Sequence, residues 1–223
     1  MGEIIRHKAA DDHVFSAYHV AATGDRGRLG GLVVIQEIFG VNEHIRGVCD
    51  AYGKKGYEVY SPALFDRVES DVELSYEEAG MERGIELRGA LKESEFLLDV
   101  QACVAEKRGE GEIGVVGYCF GGLVSWLSAC NLAGVSAASC YYGGGIANQL
   151  DGKPRCPVMM HFGALDPMIP LSDVDKIREA QKDVVINVYE NADHGFNCEL
   201  RSSYQKEAAS VALERTLAFF AKY

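Results

Sequence analysis

Ile113-Gly114-Val115-Val116-Gly117-Tyr118-Cys119-Phe120-Gly121-Gly122 begins as a short apolar run and ends in glycine. Residues 113–117 predict a buried strand, and the apolar stretch 122–132 that follows predicts a helix. Between them stands glycine–x–cysteine–x–glycine, a pattern that bends a strand sharply into a helix and projects its central side chain out of the sheet. Glycine is needed on both sides because so tight a turn leaves no space for neighbouring Cβ atoms. Cys119 would then sit at a helix N-terminus, where the dipole favours a thiolate and the next amide N–H can bind an oxyanion. A free cysteine is ordinarily a small buried hydrophobe; the strand–turn–helix setting is what sets Cys119 apart.

Outward from this turn, apolar runs alternate with amphipathic stretches. Val14–Val20 reads as an early strand and a candidate half of a hairpin, and further strands are predicted at residues 31–35, 57–60, 137–142, 158–162 and 184–189. Residues 57–60 are closed by Ser61-Pro62. Helices are predicted around residues 44–52, across a charged region at 75–108 with Leu97, Leu98 and Val100 among its apolar positions, at 173–182 and at 203–220. In the last helix Ala208, Val211, Leu213, Leu217 and Phe220 are available to face the core. Strands alternating with helices imply an α/β fold, a mostly parallel central sheet with helices on both faces. Its chemistry belongs in loops at the carboxyl ends of strands.

A nucleophilic thiol needs a base and a group to orient that base. After strand 158–162 comes Gly163-Ala164-Leu165-Asp166-Pro167, and after strand 184–189 comes Glu190-Asn191-Ala192-Asp193-His194-Gly195-Phe196. The order nucleophile, acid, histidine is the one this topology uses. His194 is therefore the candidate base and Asp166 the candidate acid. Asp193 is a rival acid, but sequence neighbours orient each other's rings poorly. His161 is a rival base, though its place within a strand suits a core histidine better.

With 223 residues, 48% of them hydrophobic, the chain suffices for one domain spanning 1–223 with a substantial core. A net charge of −11 argues against nucleic acid and anionic membrane surfaces as partners. Seven cysteines without CxxC pairs suggest reduced thiols and a cytoplasmic setting. No clustering of Cys with His suggests a metal, and nothing calls for a cofactor. The charged start MGEIIRHKAADDHVF has no apolar core of the kind a secretory signal requires, and no apolar run is long enough to span a bilayer. No exposed apolar pattern demands a partner, so a monomer is expected.

The stretches GLVVIQEIFGVNEHIR, VVGYCFGG, HFGALDPMIP, ENADHGF and SPALFDR resemble the dienelactone hydrolases, over nearly the whole chain from about Gly30 onward. A cysteine at the elbow together with a glutamate in QEIFG is specific, since most hydrolases of this fold use serine. The resemblance implies an α/β-hydrolase fold, with Cys119 as nucleophile, His194 as base and Asp166 as acid. It assigns Glu37 a contact with the nucleophile in the resting enzyme, from which it moves aside when substrate binds. It gives the backbone N–H groups of Ile38 and Phe120 to the oxyanion hole.

The implied reaction is attack on a lactone or ester carbonyl, through an acyl-thioester that water hydrolyses. The implied substrate is a small carboxylated enol lactone from aromatic catabolism. Two arginines hold that carboxylate in the family. Here Cys198 stands four residues after His194 and Arg201 is the nearest arginine; Arg67, Arg83 and Arg88 are candidates for the other, with Arg83 and Arg201 preferred. Tyr142 and Phe196 are further candidates for substrate contact. Tyr141 beside Tyr142 either lines the pocket or packs. A general carboxylesterase or thioesterase is the alternative enzyme, and a non-catalytic ligand-binding module the alternative from another class. A redox thiol is less well supported, as no resolving cysteine stands near Cys119 in sequence.

Overall fold

The protein is described from a computed structural model covering residues 2–23, 29–106 and 112–223. Eight strands form one sheet: β1 (Glu3–Lys8), β2 (Val14–Val20), β3 (Gly30–Ile35), β4 (Tyr57–Pro62), β5 (Ile113–Tyr118), β6 (Ala137–Tyr141), β7 (Val158–Gly163) and β8 (Val185–Tyr189). Their spatial order is β1-β2-β4-β3-β5-β6-β7-β8. The first two pairings, β1 with β2 and β2 with β4, are antiparallel; all others are parallel. β3, β5 and β7 are buried along their whole length, as strands covered on both faces must be.

Among the described residues there are six α-helices: α1 (Glu43–Lys54), α2 (Glu78–Ala90), α3 (Glu93–Glu106), α4 (Phe120–Asn131), α5 (Leu171–Ala180) and α6 (Lys206–Phe220). The glycines of β5 show that both faces are covered. A Cβ built on Gly114 would meet Phe220 of α6, whereas one on Gly117 would meet Gly121 and Ser125 of α4. Three residues apart on a strand means opposite faces. Capping starts two helices: the Asn42 side chain accepts from Ile45 N at 3.2 Å, and the Gln205 side chain accepts from Ala208 N at 2.6 Å.

Four expectations from the sequence need correction. β1 was not anticipated; its residues are mostly exposed and charged, so they give little alternation to read. It pairs with β2 from Glu3↔His19 to Lys8↔Val14, making β2 part of a hairpin. Ser61 and Pro62 do not close β4 but belong to it, with Pro62 opposite Ala17. The helical region at 75–108 is two helices, because Leu91 turns extended (φ −76°, ψ 138°) and buries its side chain; residues 107–108 of that expectation lie outside the described residues. In α6, Ala208 and Phe220 are buried and Leu213 and Leu217 pack against the core, but Val211 is 38% exposed, and Ala212, Thr216 and Phe219 face inward as well. The Thr216 hydroxyl bonds Tyr141 Oη at 2.7 Å and His161 Nε2 at 3.0 Å, so a residue that reads as polar serves the core.

The sheet order reverses between β3 and β5: β4 lies on one side of β3 and β5 on the other. A crevice opens at the carboxyl ends of strands at such a switch point. Glu37 and Ile38 follow β3 there, and Cys119 follows β5.

Candidate active site

Cys119 occupies φ 55°, ψ −113°, a backbone conformation unusual for a residue with a side chain, and caps α4 directly after β5. The turn closes because Gly117 and Gly121 lack side chains. A Cβ on Gly117 would lie 2.0 Å from Gly121 O, and one on Gly121 would lie 2.4 Å from Ile35 O. The Cys119 N–H donates to Tyr141 O at 3.0 Å, tying the elbow to β6.

The structure brings the three candidates together. Cys119 Sγ is 3.1 Å from His194 Nε2, and His194 Nδ1 is 2.8 Å from Asp166 Oδ2. Asp166 Oδ1 accepts the N–H groups of Met168 (2.8 Å) and Ile169 (3.2 Å), which holds the carboxylate in the plane it needs to face the ring. Burial by itself lowers the His194 pKa, but the charge interaction with Cys119 and the hydrogen bonds to Asp166 and Cys119 outweigh it and raise it to about 10.

The rivals are placed elsewhere. Asp193 Oδ1 accepts the backbone N–H of His194 at 2.5 Å rather than facing its ring. His161 is buried, bonds Tyr189 Oη through Nδ1 at 2.8 Å and Thr216 through Nε2, and burial lowers its pKa to about 3. It is a neutral core histidine.

Cys119 and His194 line a cavity of about 350 Å³ together with Ile38, Phe39, Phe120 and Arg201. Its remaining walls include Met81, Ile85, Leu123 and Met168, so it is largely apolar. A larger hollow of about 430 Å³ at the opposite end of the strands, between Leu29 and Tyr223, holds neither Cys nor His. Among the described residues the Ile38 N–H donates to no backbone or side-chain acceptor, and Phe120 N–H belongs to the first turn of α4, which has no intrahelical acceptor. The Ile38 loop is held from behind by Gln36, whose Oε1 accepts from Leu64 N at 3.0 Å and whose Nε2 donates to Glu37 O at 3.2 Å.

Several candidates for substrate contact stand differently from expectation. Arg83 points away from the cavity and ion-pairs with Glu69 and Glu86. Arg67 is held by Asp11 and the buried Asp99. Arg88, on the same helix as Arg83, lines the cavity with its guanidinium 5.2 Å from the Phe120 ring centre. Arg201 also lines it, stacked over Phe39 and Tyr76. Tyr142 and Phe196 are fully buried and do not face the cavity: Tyr142 packs edge-on against His194 at 5.2 Å, and Phe196 packs against Tyr141, Tyr142 and Tyr189. Gly195 (φ 78°) leaves room for Arg201, whose Nη1 would lie 2.5 Å from an added Cβ.

Glu37 is fully buried, yet among the described residues no hydrogen bond joins it to Cys119. Its Oε2 accepts from Tyr76 Oη at 2.8 Å, and its Oε1 lies 3.7 Å from Arg201 Nη1. Tyr76, in turn, accepts from Asn42 Nδ2 at 3.2 Å. Nothing in the sequence around Tyr76 marks it for this role. Glu37, His44 and Cys198, far apart in the sequence, converge here, with one potential ligand atom from each within 4.8 Å of the others. Burial, and the Glu37 carboxylate beside it, push the Cys198 thiol up to about 11.

The dienelactone hydrolase family profile matches residues 15–223. The chain belongs to the dienelactone hydrolase family. It is 31% identical to the carboxymethylenebutenolidase of Pseudomonas putida, over 98% of this chain and 96% of that protein. A Synechocystis protein provisionally named a carboxymethylenebutenolidase is 35% identical over 85% of this chain and 84% of its own length. A Klebsiella pneumoniae crystal structure, provisionally named a dienelactone hydrolase, superposes with a TM-score of 0.83 at 30% identity, covering 99% of this chain and all of that one. The family carries the α/β-hydrolase fold, and this member is a carboxylic ester hydrolase. Among its described residues no helix is long and apolar enough to cross a membrane.

Proposed function

We propose that this dienelactone hydrolase cleaves a small lactone or ester through Cys119, His194 and Asp166, by way of an acyl-thioester. The observation that carries the reading is the pair of contacts on His194: Nε2 to Cys119 Sγ at 3.1 Å and Nδ1 to Asp166 Oδ2 at 2.8 Å, at the edge of the cavity. The Cys119 thiolate attacks the carbonyl carbon, and the N–H groups of Ile38 and Phe120 receive the oxyanion. As the tetrahedral adduct collapses, the C–O bond breaks and the His194 imidazolium gives its proton to the departing oxygen. The now neutral imidazole takes a proton from water, which attacks the thioester and releases the acid. Asp166 keeps the ring in the required tautomer and stabilises its charged form. Thiol facing histidine with Glu37 turned onto Tyr76 is the arrangement a substrate-ready site needs.

For the substrate, Arg88 and Arg201 at the cavity wall favour a carboxylate-bearing lactone, as the name carboxymethylenebutenolidase implies for the relatives. The overall charge of −11 makes such local cations necessary for an anion to bind. The apolar Met81, Ile85, Leu123 and Met168 favour the second reading, a general esterase for neutral acyl groups. Hydrolysis of a carboxylated dienelactone and of a neutral aryl acetate, in wild type, Cys119→Ala and Arg88→Met, separates the two. Cys119-dependent preference for the dienelactone, with KM raised in Arg88→Met, is expected. Cys119-dependent turnover of the neutral ester alone makes the protein a general esterase, and full activity in Cys119→Ala removes the mechanism.

A further inference from the structure

Behind the ester site, Glu37, His44 and Cys198 form a buried group that the thioester chemistry does not use as a unit. They come from the loop after β3, the start of α1 and the segment after His194, and none is more than 1% exposed. One ring nitrogen of His44, one oxygen of Glu37 and Cys198 Sγ all lie within 4.8 Å of one another. Two atoms of this group lack hydrogen-bond partners. His44 Nδ1 pairs with Glu199 Oε2 at 3.1 Å, but Nε2 is buried and unpaired. Glu37 Oε1 also accepts no hydrogen bond; its only counter-charge among the described residues is Arg201 Nη1, 3.7 Å away.

Unpaired buried acceptors cost free energy and require an explanation. A carboxylate accepting Nδ1–H fixes His44 in the tautomer whose Nε2 carries a lone pair, the usual arrangement of a metal-bound histidine and the carboxylate behind it. We infer that Glu37, His44 and Cys198 form a binding site for Zn²⁺, distinct from the Cys119–His194 pair. Thiolate, imidazole and carboxylate are zinc's three habitual protein ligands, and three of them leave a fourth position open. Ligand atoms of a tetrahedral zinc site lie about 3.3–3.8 Å apart, so the widest pair here need close by only about 1 Å. Binding forms a Zn–S bond and expels the Cys198 proton to solvent, leaving two anionic ligands to neutralise the cation. Because Glu37 is shared, zinc draws its charge away from Arg201 and fixes it in the position turned from Cys119.

The Cys119–His194 pair could itself capture a metal, so the test is run in the Cys119→Ala background. That protein, stripped with chelator, is titrated with Co²⁺, read by the thiolate-to-cobalt charge-transfer band, and with Zn²⁺ by equilibrium dialysis. One bound ion per chain is expected, with the band absent in Cys119→Ala/Cys198→Ser and binding lost in Cys119→Ala/His44→Gln. No binding in Cys119→Ala means that the unpaired atoms meet buried water instead, and overturns the site. A band that persists without Cys198 overturns it equally. Should the buried substitutions fail to fold, Glu199→Gln decides: its side chain is 57% exposed, and it should weaken Zn²⁺ about tenfold or more. Unchanged affinity there rejects the inference.

Discussion

At the residue scale, the site depends on a strained backbone and one oriented carboxylate. Cys119 at φ 55° holds a conformation that costs a side-chain-bearing residue on the order of 1–3 kcal/mol. Cys119→Gly should therefore melt higher than Cys119→Ala, by roughly 1 kcal/mol after the entropy of glycine is deducted, while both lack turnover. Equal melting curves would mean that the elbow stores no strain. Asp166→Asn keeps an oxygen for the Met168 and Ile169 N–H groups but turns an NH₂ toward His194 Nδ1. The imidazole is forced into the wrong tautomer, and kcat should fall by about 10⁴-fold with the fold intact. A loss below tenfold would show that Asp166 does not orient the base.

At the scale of elements, the Ile38 loop proposed for the oxyanion hole depends on how closely α2 approaches it. A Cβ on Gly84 of α2 would stand 2.1 Å from Ile38 O. Gly84→Ala improves helix propensity by about 1 kcal/mol, yet it must push α2 and Ile38 apart. Displacement of the Ile38 N–H should lower kcat by up to about 10²-fold, with a smaller change in KM. Wild-type kcat in Gly84→Ala would mean the Ile38 N–H is not part of the hole. α2 also decides which of its arginines lines the cavity. Arg83 and Arg88 are five residues apart, about 140° around the helix axis, so only one of them can face the cavity.

For the whole molecule, two buried histidines set opposite limits on stability. The folded pKa of His161 lies at about 3, below its ordinary 6.5. Its contribution is complete above pH 6.5 and is lost as pH falls toward 3. The folded pKa of His194 is raised to about 10. Its contribution is complete below 6.5 and is lost as pH rises through 10. Thermal melts between about pH 4 and 10 should thus peak near neutrality. Cys119→Ala removes an interaction that raises the His194 pKa, so it should flatten the alkaline limb and leave the acid limb unchanged. An unaltered alkaline limb in Cys119→Ala would show that Cys119 does not raise the His194 pKa.

The sequence by itself determined the alternating α/β order, the cysteine elbow, and the loops that carry Asp166 and His194. These are local facts: strand–turn–helix contexts and the order of residues along the chain do not depend on how distant segments meet. β1 escaped because a charged edge strand lacks the alternation that burial imposes, and Thr216 on the inward face of α6 escaped because it serves the core through its hydroxyl. Only the tertiary structure decided that Arg88 rather than Arg83 lines the cavity, that Glu37 lies against Tyr76, and that His44 meets Glu199 across 155 residues of chain. Those contacts depend on sheet register and on the rotation of each helix about its axis. Many distant packing contacts fix both at once, and no short stretch of sequence records them.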